Sequence, residues 1–361
     1  AAAAGGFGAV ACMPNTTPPL DSQGAIRFVL ERASAAGPVR VLPVGAITAG
    51  RRGEVLAEIG ELVRAGAVAV TDDGDPVADT RIMRRALEYA RMFAIPVITH
   101  AEEKSLSRGG VMNEGEMSLR LGLRGIPSAS ETIAIDRDVR LAEMTGGRLH
   151  VAHVSTAGGV EIVRRAKERG VSVTAETAPH YLALTDQCLA GYDPNRKMNP
   201  PLRTAADRDA LRAGLAEGVL DAIATDHAPH PVHRKEVEFD EAPFGVIGLE
   251  TALAVSLTYL VRAGHLTLPR LVEALTSGPS RILGIDSPGL AEGERASLVL
   301  FDPKASWVVD PGRFESLSRN TAFAGERLFG KVRELFLGAE RLTPPPGNGE
   351  SRLFGADRAG R

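Results

Sequence analysis

Four short apolar runs of this chain each lead to an acidic or imidazole side chain. Val-Ala-Val-Thr-Asp is followed by Asp73, Val-Ile-Thr by His100, Leu-His-Val-Ala by His153, and Ile-Ala-Thr by Asp226. Residues 226–230 read Asp-His-Ala-Pro-His, which places two more imidazoles within four positions of the last carboxylate. Carboxylates and imidazoles bind metal ions and transfer protons in catalytic sites.

Each of these residues also has an ordinary structural explanation. Asp73-Gly74 is a common turn sequence, and a lone histidine after a strand is more often a hydrogen-bonded core residue than a ligand. Their joint occurrence favours a shared site, because burying several unpaired ionisable groups is costly. Imidazole and carboxylate donors without thiolate suit a catalytic zinc ion. We therefore predict zinc ligands at four positions, namely Asp73, His100, His153 and Asp226.

Two loops that contain prolines each carry an asparagine. Asn15 lies in Met-Pro-Asn-Thr-Thr-Pro, and Asn199 lies in Lys-Met-Asn-Pro-Pro-Leu-Arg. An asparagine side chain both donates and accepts hydrogen bonds, so it can bind an amide or imide group. For either motif alone, simple turn chemistry explains the sequence equally well.

Apolar runs alternate with helical segments along the chain. Seven strands are predicted near residues 10, 44, 69, 98, 151, 174 and 223, and this alternation is typical of parallel strands joined by right-handed crossovers. Polar residues follow at least five of these strands. A doubly wound open sheet binds ligands at one switch point, whereas a (β/α)8 TIM-type barrel builds its site from many strand ends. The pattern therefore favours the barrel.

The predicted barrel domain covers residues 1–283. Residues 1–8 are expected to be the end of a helix with a glycine stop, so the first strand of the barrel is expected to be missing upstream. Residues 284–342 are expected to form a small β-sandwich appendage. Residues 343–361 are rich in Pro, Gly and charge and are expected to be disordered.

The composition limits the classes of function. The net charge is −3 and aromatic residues make up 4% of the chain, which argues against a nucleic-acid binder. The two cysteines, Cys12 and Cys188, do not make a disulfide framework, so a cytoplasmic location is the simplest expectation. The apolar stretches are too short to cross a membrane.

Six motifs together give the chain a close resemblance to one family. They are Met-Pro-Asn-Thr, Asp-Asp-Gly, Thr-His-Ala-Glu, His-Val-Ser-Thr, Lys-Met-Asn-Pro-Pro-Leu-Arg and Ala-Thr-Asp-His-Ala-Pro-His. The chain resembles the type I dihydroorotases of the amidohydrolase superfamily over about residues 1–340. The resemblance implies reversible, zinc-dependent conversion of N-carbamoyl-L-aspartate to L-dihydroorotate in pyrimidine biosynthesis, with two zinc ions in an intact site.

The resemblance also implies roles for individual residues. Asp73 would bridge two zinc ions, His100 and His153 would hold one of them, and Asp226 would bind the other and transfer the proton. Five residues would contact the substrate, namely Asn15, Asn199, His230, Phe244 and Gly245. The charged segment 231–243 would be a mobile loop near the mouth of the site.

One family feature is not found in the chain. The family's first strand ends in His-x-His followed by Leu-Arg, which supplies two zinc ligands and a carboxylate-binding arginine, and the sequence contains no such motif. We therefore expect a fragment, and the want of these ligands would leave the chain as given inactive. The expected partners are a small-molecule substrate, aspartate carbamoyltransferase and further copies of the chain, with no nucleic acid and no membrane.

Two alternatives remain open. Hydantoinases, dihydropyrimidinases and allantoinases resemble this family, but they typically bridge their metals with a carboxylated lysine. Here the corresponding strand ends in Asp73, and the first lysine of the chain is Lys104. The second alternative is a non-catalytic, dihydroorotase-like scaffold for aspartate carbamoyltransferase. Such proteins usually have eroded ligand sets, whereas all four predicted ligands are present here.

Overall fold

The computed structural model describes residues 1–342. The tail predicted to be disordered, residues 343–361, lies outside the described residues. The described part contains twelve strands: β1 (Ala9–Cys12), β2 (Arg40–Gly45), β3 (Ala69–Val70), β4 (Val97–Thr99), β5 (Met112–Asn113), β6 (Gly125–Ile126), β7 (Leu149–Val151), β8 (Val173–Thr177), β9 (Ala222–Ile223), β10 (Ser297–Val308), β11 (Arg327–Leu337) and β12 (Glu340–Leu342).

Thirteen α-helices lie between and after these strands in the described residues. They are α1 (Gln23–Ala36), α2 (Ile59–Ala65), α3 (Thr80–Arg91), α4 (Lys104–Ser107), α5 (Glu116–Leu121), α6 (Ser128–Thr145), α7 (Ala157–Glu168), α8 (Pro179–Ala183), α9 (Ala205–Ala216), α10 (Val232–Lys235), α11 (Ala252–Ser256), α12 (Leu268–Leu275) and α13 (Ser277–Leu283). None of these helices is both long and apolar enough to span a membrane.

The main sheet has seven parallel strands in the order β1-β2-β3-β4-β7-β8-β9. All seven strands predicted from the sequence are present, and they pair in sequence order. The sheet curls into an incomplete barrel, because β1 and β9 do not pair with each other in the described residues. A parallel α/β barrel sheet is therefore confirmed, while the missing first strand stays a prediction.

Neighbouring residues of one strand pack on opposite faces of this sheet. Ala69 and Ile98 belong to a small cluster on one face, whereas Val70 and Val97 join the large core between the sheet and the helices. This alternation follows from the two-residue period of side chains along a strand. Because the strands are parallel, their carboxyl ends meet at one edge of the sheet, which is where the site is built.

Ser22, and not the neighbouring Asp21, caps the start of α1. The helix begins at Gln23, and the Ser22 hydroxyl caps it by accepting a hydrogen bond from the backbone N–H of Ala25. The Asp21 carboxylate instead accepts from the backbone N–H of Gly50, 2.7 Å away in a neighbouring loop. The expected helical end at residues 1–8 is a single turn closed at Gly6, which has a positive φ of 84°.

A single sheet forms in the C-terminal segment, residues 284–342, for which the sequence predicted a β-sandwich. Strands β10, β11 and β12 form one three-stranded antiparallel sheet in the described residues. Leu298 and Trp307 belong to one long strand, β10, which has two irregularities in its pairing to β11. A second layer, which a sandwich needs, is not seen among the described residues, so the sandwich stays a prediction.

Candidate active site

The predicted ligands all follow strands of the main sheet. Asp73 lies three residues after β3, His100 directly after β4, His153 two residues after β7, and Asp226 three residues after β9. His153 and Asp226 have positive φ angles of 37° and 45°. Non-glycine residues seldom adopt this backbone region, and such strain concentrates at functional sites.

Three of the four predicted ligands bring donor atoms to one point. Oδ1 of Asp73 lies 3.2 Å from Nδ1 of His100 and 3.2 Å from Nε2 of His153. The two ring nitrogens are 2.9 Å apart. Donors held at the zinc distances of a tetrahedral site lie roughly 3.3 Å apart. The three side chains therefore match the geometry and chemistry of a metal site.

The charges at this point depend on one another. Burial opposes ionisation of Asp73, but hydrogen bonds and attraction from His100 and His153 outweigh it and hold the pKa of Asp73 well below its usual range. The same carboxylate raises the pKa of His153 against the effect of burial. The Asp73 carboxylate therefore stays ionised and favours positive charge beside it.

Asp226 lies in the same cavity but outside this group of three. Burial raises the pKa of Asp226 to about 6, and the negative charge of Asp73 contributes to the increase. A carboxylate with this pKa can exchange a proton near neutral pH.

The neighbouring Asp72 has a structural role that separates it from Asp73. Its carboxylate accepts hydrogen bonds from the backbone N–H groups of Ile47 and Thr48 and from the Thr48 hydroxyl. It thus ties the end of β3 to the loop after β2. Of the two adjacent aspartates, only Asp73 is free to serve the site.

The cavity around these residues has a volume of about 670 Å³. Four of the five predicted substrate contacts line it, namely Asn15, Asn199, Phe244 and Gly245. Gly245 has a φ of 121°, and a Cβ atom there would lie 2.6 Å from the Cβ of Ala228. Only glycine fits this close approach of the two loops.

Two imidazoles of the Asp-His-Ala-Pro-His motif do not point at the metal group. Nδ1 of His227 accepts hydrogen bonds from the backbone N–H groups of Gly248 and Leu249. His230 is not among the residues lining the cavity, and its Nε2 lies 2.7 Å from the carbonyl oxygen of Phe244. One nitrogen of each ring is thus hydrogen-bonded to backbone groups of residues 244–249.

The cavity also contains charged residues to which the sequence assigned no role. Glu102, Lys104 and Arg108 line it at the segment that follows His100. Glu102 belongs to the Thr-His-Ala-Glu motif, so its place two residues after a predicted ligand was the available signal. Lys104 and Arg108 carry no signal of their own, because exposed cations on a helix are common.

The sequence of this chain is similar to a known protein family over most of its length. A family model described as dihydro-orotase-like matches residues 1–158. The dihydroorotase of Geobacter metallireducens is 53% identical over 340 residues, which is 94% of this chain and 80% of that protein. The dihydroorotase of Pelobacter propionicus is 55% identical over 330 residues, covering 91% of this chain and 78% of that protein. The chain belongs to the dihydroorotase family. The family expected from the six motifs is thereby confirmed.

Solved structures show that the dihydroorotase fold seen here is shared with neighbouring enzymes. The L-hydantoinase (dihydropyrimidinase) of Arthrobacter aurescens superposes with a TM-score of 0.85 at 26% identity, covering 98% of this chain and 80% of that one. The dihydropyrimidinase of Brevibacillus agri gives a TM-score of 0.75 at 21% identity, covering 92% and 77%. The latter likeness supports the barrel fold alone.

The dihydroorotase loop 231–243 is attached to the protein at several points. The Lys235 ammonium donates to the carbonyl oxygens of Pro194, Lys197 and Pro243 at 2.8–3.4 Å. The Lys197 ammonium donates to the carbonyl of Asp240. Burial lowers the pKa of Lys235 to about 8. The mobility of this loop stays a prediction. A movement of the loop would have to break these hydrogen bonds.

A buried glutamate on α6 holds the loop that follows His153. Glu131 is 3% exposed, and its carboxylate accepts from the backbone N–H groups of Ser155 and Thr156 and from both hydroxyls. These four donors to one charged group fix the backbone just beyond the ligand His153. This contact joins residues about 24 positions apart, so the sequence pattern did not reveal it.

We expect Glu131→Gln to lower the free energy of unfolding by about 2–3 kcal/mol, because the amide NH2 would face two N–H donors and charge-assisted bonds would be lost. Urea denaturation measures this change. Glu143→Gln on the same helix is the matched control, since the ion pair of Glu143 with Arg169 is exposed and should contribute less than about 1 kcal/mol. Equal stability of the two variants would contradict the role of Glu131.

An asparagine of the C-terminal segment clamps the two loops that meet at the cavity. Nδ2 of Asn320 donates to the carbonyl oxygens of Ala228 and Gly245, and its Oδ1 accepts from the N–H of His230. Asn320 is 3% exposed, so water does not replace these bonds. One side chain therefore links the Asp226 loop to the Phe244 loop.

We expect Asn320→Ala to lower kcat/KM about tenfold, because three buried backbone groups lose their partner and the loops lose their relative position. Steady-state kinetics with dihydroorotate measures the effect. Leu317→Ala is the nearby control, since the Leu317 side chain is 99% exposed and should leave kcat/KM unchanged. Wild-type kinetics in the Asn320 variant would show that the clamp does not matter.

Proposed function

We propose that this cavity performs the dihydroorotase reaction, the reversible zinc-dependent cyclisation of N-carbamoyl-L-aspartate to L-dihydroorotate in pyrimidine biosynthesis. The observation that carries the proposal is 53–55% identity to curated dihydroorotases over more than nine-tenths of the chain. The cavity agrees with it, because a metal-competent group and a buried acid lie side by side.

The residues present fit a zinc centre. Asp73, His100 and His153 would hold the metal, since their donor atoms already lie within 4.8 Å of one another and none is a thiolate. Asp226, which follows the edge strand β9, would supply a further carboxylate. When bound, zinc polarises the substrate carbonyl and lowers the pKa of a bound water. Two ions in an intact site remain part of the proposal.

Asp226 would act as the proton carrier. In ring opening it accepts a proton from the attacking water and gives it to the departing ring nitrogen, and in ring closure it takes the reverse path. Its raised pKa suits both directions, because the carboxylate gains and loses the proton at small cost near neutral pH. Asp226, three residues after β9, has a positive φ of 45°, and its buried side chain belongs to the cavity lining.

The remaining residues would bind the substrate. Asn15 and Asn199 offer amide groups to the cavity, and the Phe244-Gly245 backbone forms part of its wall. His230 would act on the substrate through its hydrogen bond to the Phe244 carbonyl, because its ring does not line the cavity. The positive charges of Lys104 and Arg108, which line the cavity, favour the carboxylates of N-carbamoyl-L-aspartate.

Hydantoinase activity is the alternative that a specific observation supports, since a hydantoinase structure covers 98% of this chain. Asp73 argues against it, because a carboxylate stands where that class uses a modified lysine. The purified, zinc-loaded protein should therefore be assayed with dihydroorotate, hydantoin and allantoin. We expect turnover of dihydroorotate at least tenfold above the other two, and a preference for hydantoin would overturn the proposal.

The scaffold alternative and the assembly partners need separate tests. A non-catalytic role predicts no turnover with bound zinc but co-elution with aspartate carbamoyltransferase. We propose that the chain is catalytic, that it forms homo-oligomers and that it works in the cytoplasm, with aspartate carbamoyltransferase as a candidate partner. Size-exclusion chromatography with and without that enzyme tests the assembly.

A further inference from the structure

Glu102 occupies a position that the proposed reaction does not yet use. Its carboxylate lines the cavity, and its side chain is 9% exposed. Oε2 lies 3.1 Å from Nε2 of His100, 2.9 Å from the ammonium of Lys104 and 3.3 Å from Nδ2 of Asn199. One oxygen thus contacts a predicted metal ligand, a predicted substrate contact and a cation.

The two nitrogens of His100 face different partners. Nδ1 faces Asp73 and His153, while Nε2 faces the Glu102 carboxylate at 3.1 Å and, at 3.4 Å, Nδ2 of Asn199. If Nδ1 gives its lone pair to a metal beside Asp73 and His153, the ring proton is on Nε2, where the Glu102 carboxylate accepts it in a hydrogen bond. Outer carboxylates commonly orient metal-binding imidazoles in this way.

We propose that Glu102 is a positioning residue that fixes the tautomer and ring orientation of His100 and holds the Asn199 amide at the cavity wall. This inference deepens the proposed function and rests on it. Nδ1 of His153 has no hydrogen-bond partner within residues 1–342. Of these two histidines, His100 is therefore the one whose second ring nitrogen meets an orienting carboxylate.

Lys104 makes this arrangement compatible with an anionic substrate. A lone carboxylate on the cavity wall would repel the carboxylates of N-carbamoyl-L-aspartate. The Lys104 ammonium is 2.9 Å from Glu102 and is 45% exposed at the mouth, so it offsets the charge without closing the cavity. Glu102 can therefore remain ionised beside His100 while the substrate binds.

The adjacent Glu103 supplies a matched control. Its carboxylate accepts from the N–H and hydroxyl of Ser105 and caps α4, and it does not line the cavity. Glu102→Gln and Glu103→Gln are thus the same chemical change one residue apart. If negative charge on this segment were all that mattered, the two variants would behave alike.

The test uses Glu102→Ala, Glu102→Gln, Glu102→Asp and Glu103→Gln. Zinc affinity is measured by competition with a coloured chelator, and the imidazole Nε2–H of His100 is observed by ¹⁵N-resolved NMR of the zinc-loaded protein. We expect Glu102→Ala to weaken zinc binding about 10–100-fold and to lose the slowly exchanging Nε2–H signal. Glu102→Asp should restore part of both, and Glu103→Gln should match the wild type.

Zinc affinity within twofold of wild type in Glu102→Ala, with the Nε2–H signal retained, would overturn the inference. If that variant does not fold, the nearly isosteric Glu102→Gln decides, because it keeps an acceptor but loses the charge and should give an intermediate affinity. Neither readout requires turnover. A chain that binds zinc through an oriented His100 but prefers hydantoin would refute the proposed substrate and leave the role of Glu102 standing.

Discussion

Asp226→Asn should abolish most turnover while leaving the zinc in place. We expect kcat to fall by about 10²–10⁴, the usual contribution of a positioned acid or base, because an amide cannot accept the proton. Asn has nearly the same size, so packing around this buried side chain should be kept. Steady-state kinetics in both directions, together with zinc content by atomic emission, measures the two effects.

Asp221→Asn is the control for this substitution. Asp221 lies just before β9, whereas Asp226 follows the other end of the same strand. The Asp221 carboxylate accepts hydrogen bonds from the Lys167 ammonium and from the N–H of Ala175. The same chemical change there should leave kcat within about twofold of wild type. Normal turnover in Asp226→Asn would refute the proton-carrier role, whereas loss of zinc along with turnover would place Asp226 chiefly among the ligands.

His153→Ala should remove the metal centre. The substitution deletes one of three donors and leaves the Asp73 carboxylate and the His100 ring with only each other. We expect zinc affinity to fall by more than the roughly 100-fold that loss of an outer partner causes, and turnover to fall with it. Zinc content after dialysis against a weak chelator, followed by activity on re-addition of zinc, measures both.

His233→Ala is the matched control, because His233 is exposed on the loop helix α10. It should keep wild-type zinc content and activity. Retention of stoichiometric zinc in His153→Ala would mean that the three converging side chains are a structural hydrogen-bond group. In that case the metal assignment, and with it the hydrolytic mechanism, would have to be abandoned.

The sequence predicted the main sheet well. Most of the seven strands are short apolar runs, and Ala69 and Val97 lie in strands that were placed from this pattern alone. Parallel pairing followed from the alternation with helices, and the common edge of the site followed from parallel pairing. The start of α1 could not be predicted from the sequence, since Asp21 and Ser22 are both good caps and a tertiary contact of Asp21 with Gly50 decided between them.

The site was predicted in part. Asp73, His100 and His153 do converge, and Asp226 shares their cavity. The sequence did not show that His230 contacts the Phe244 carbonyl instead of lining the cavity, nor that Glu102 and Asn320 contact residues of the site. Asn320 bonds to residues 75–92 positions away, and no local pattern encodes such a pair.

Sequence alone thus determined which side chains with metal-binding or acid–base chemistry follow which strands. Strand patterns and glycine or proline turns depend on residues that are close together in the chain, so they can be recognised in the sequence. It also determined the family, through six motifs in order. Only the tertiary structure decided which ring nitrogen of His100 faces the metal group, which of two adjacent aspartates is free, and which distant residues hold the loops. Those features depend on the directions of side chains brought together by folding, and such directions are set by contacts between segments far apart in the chain.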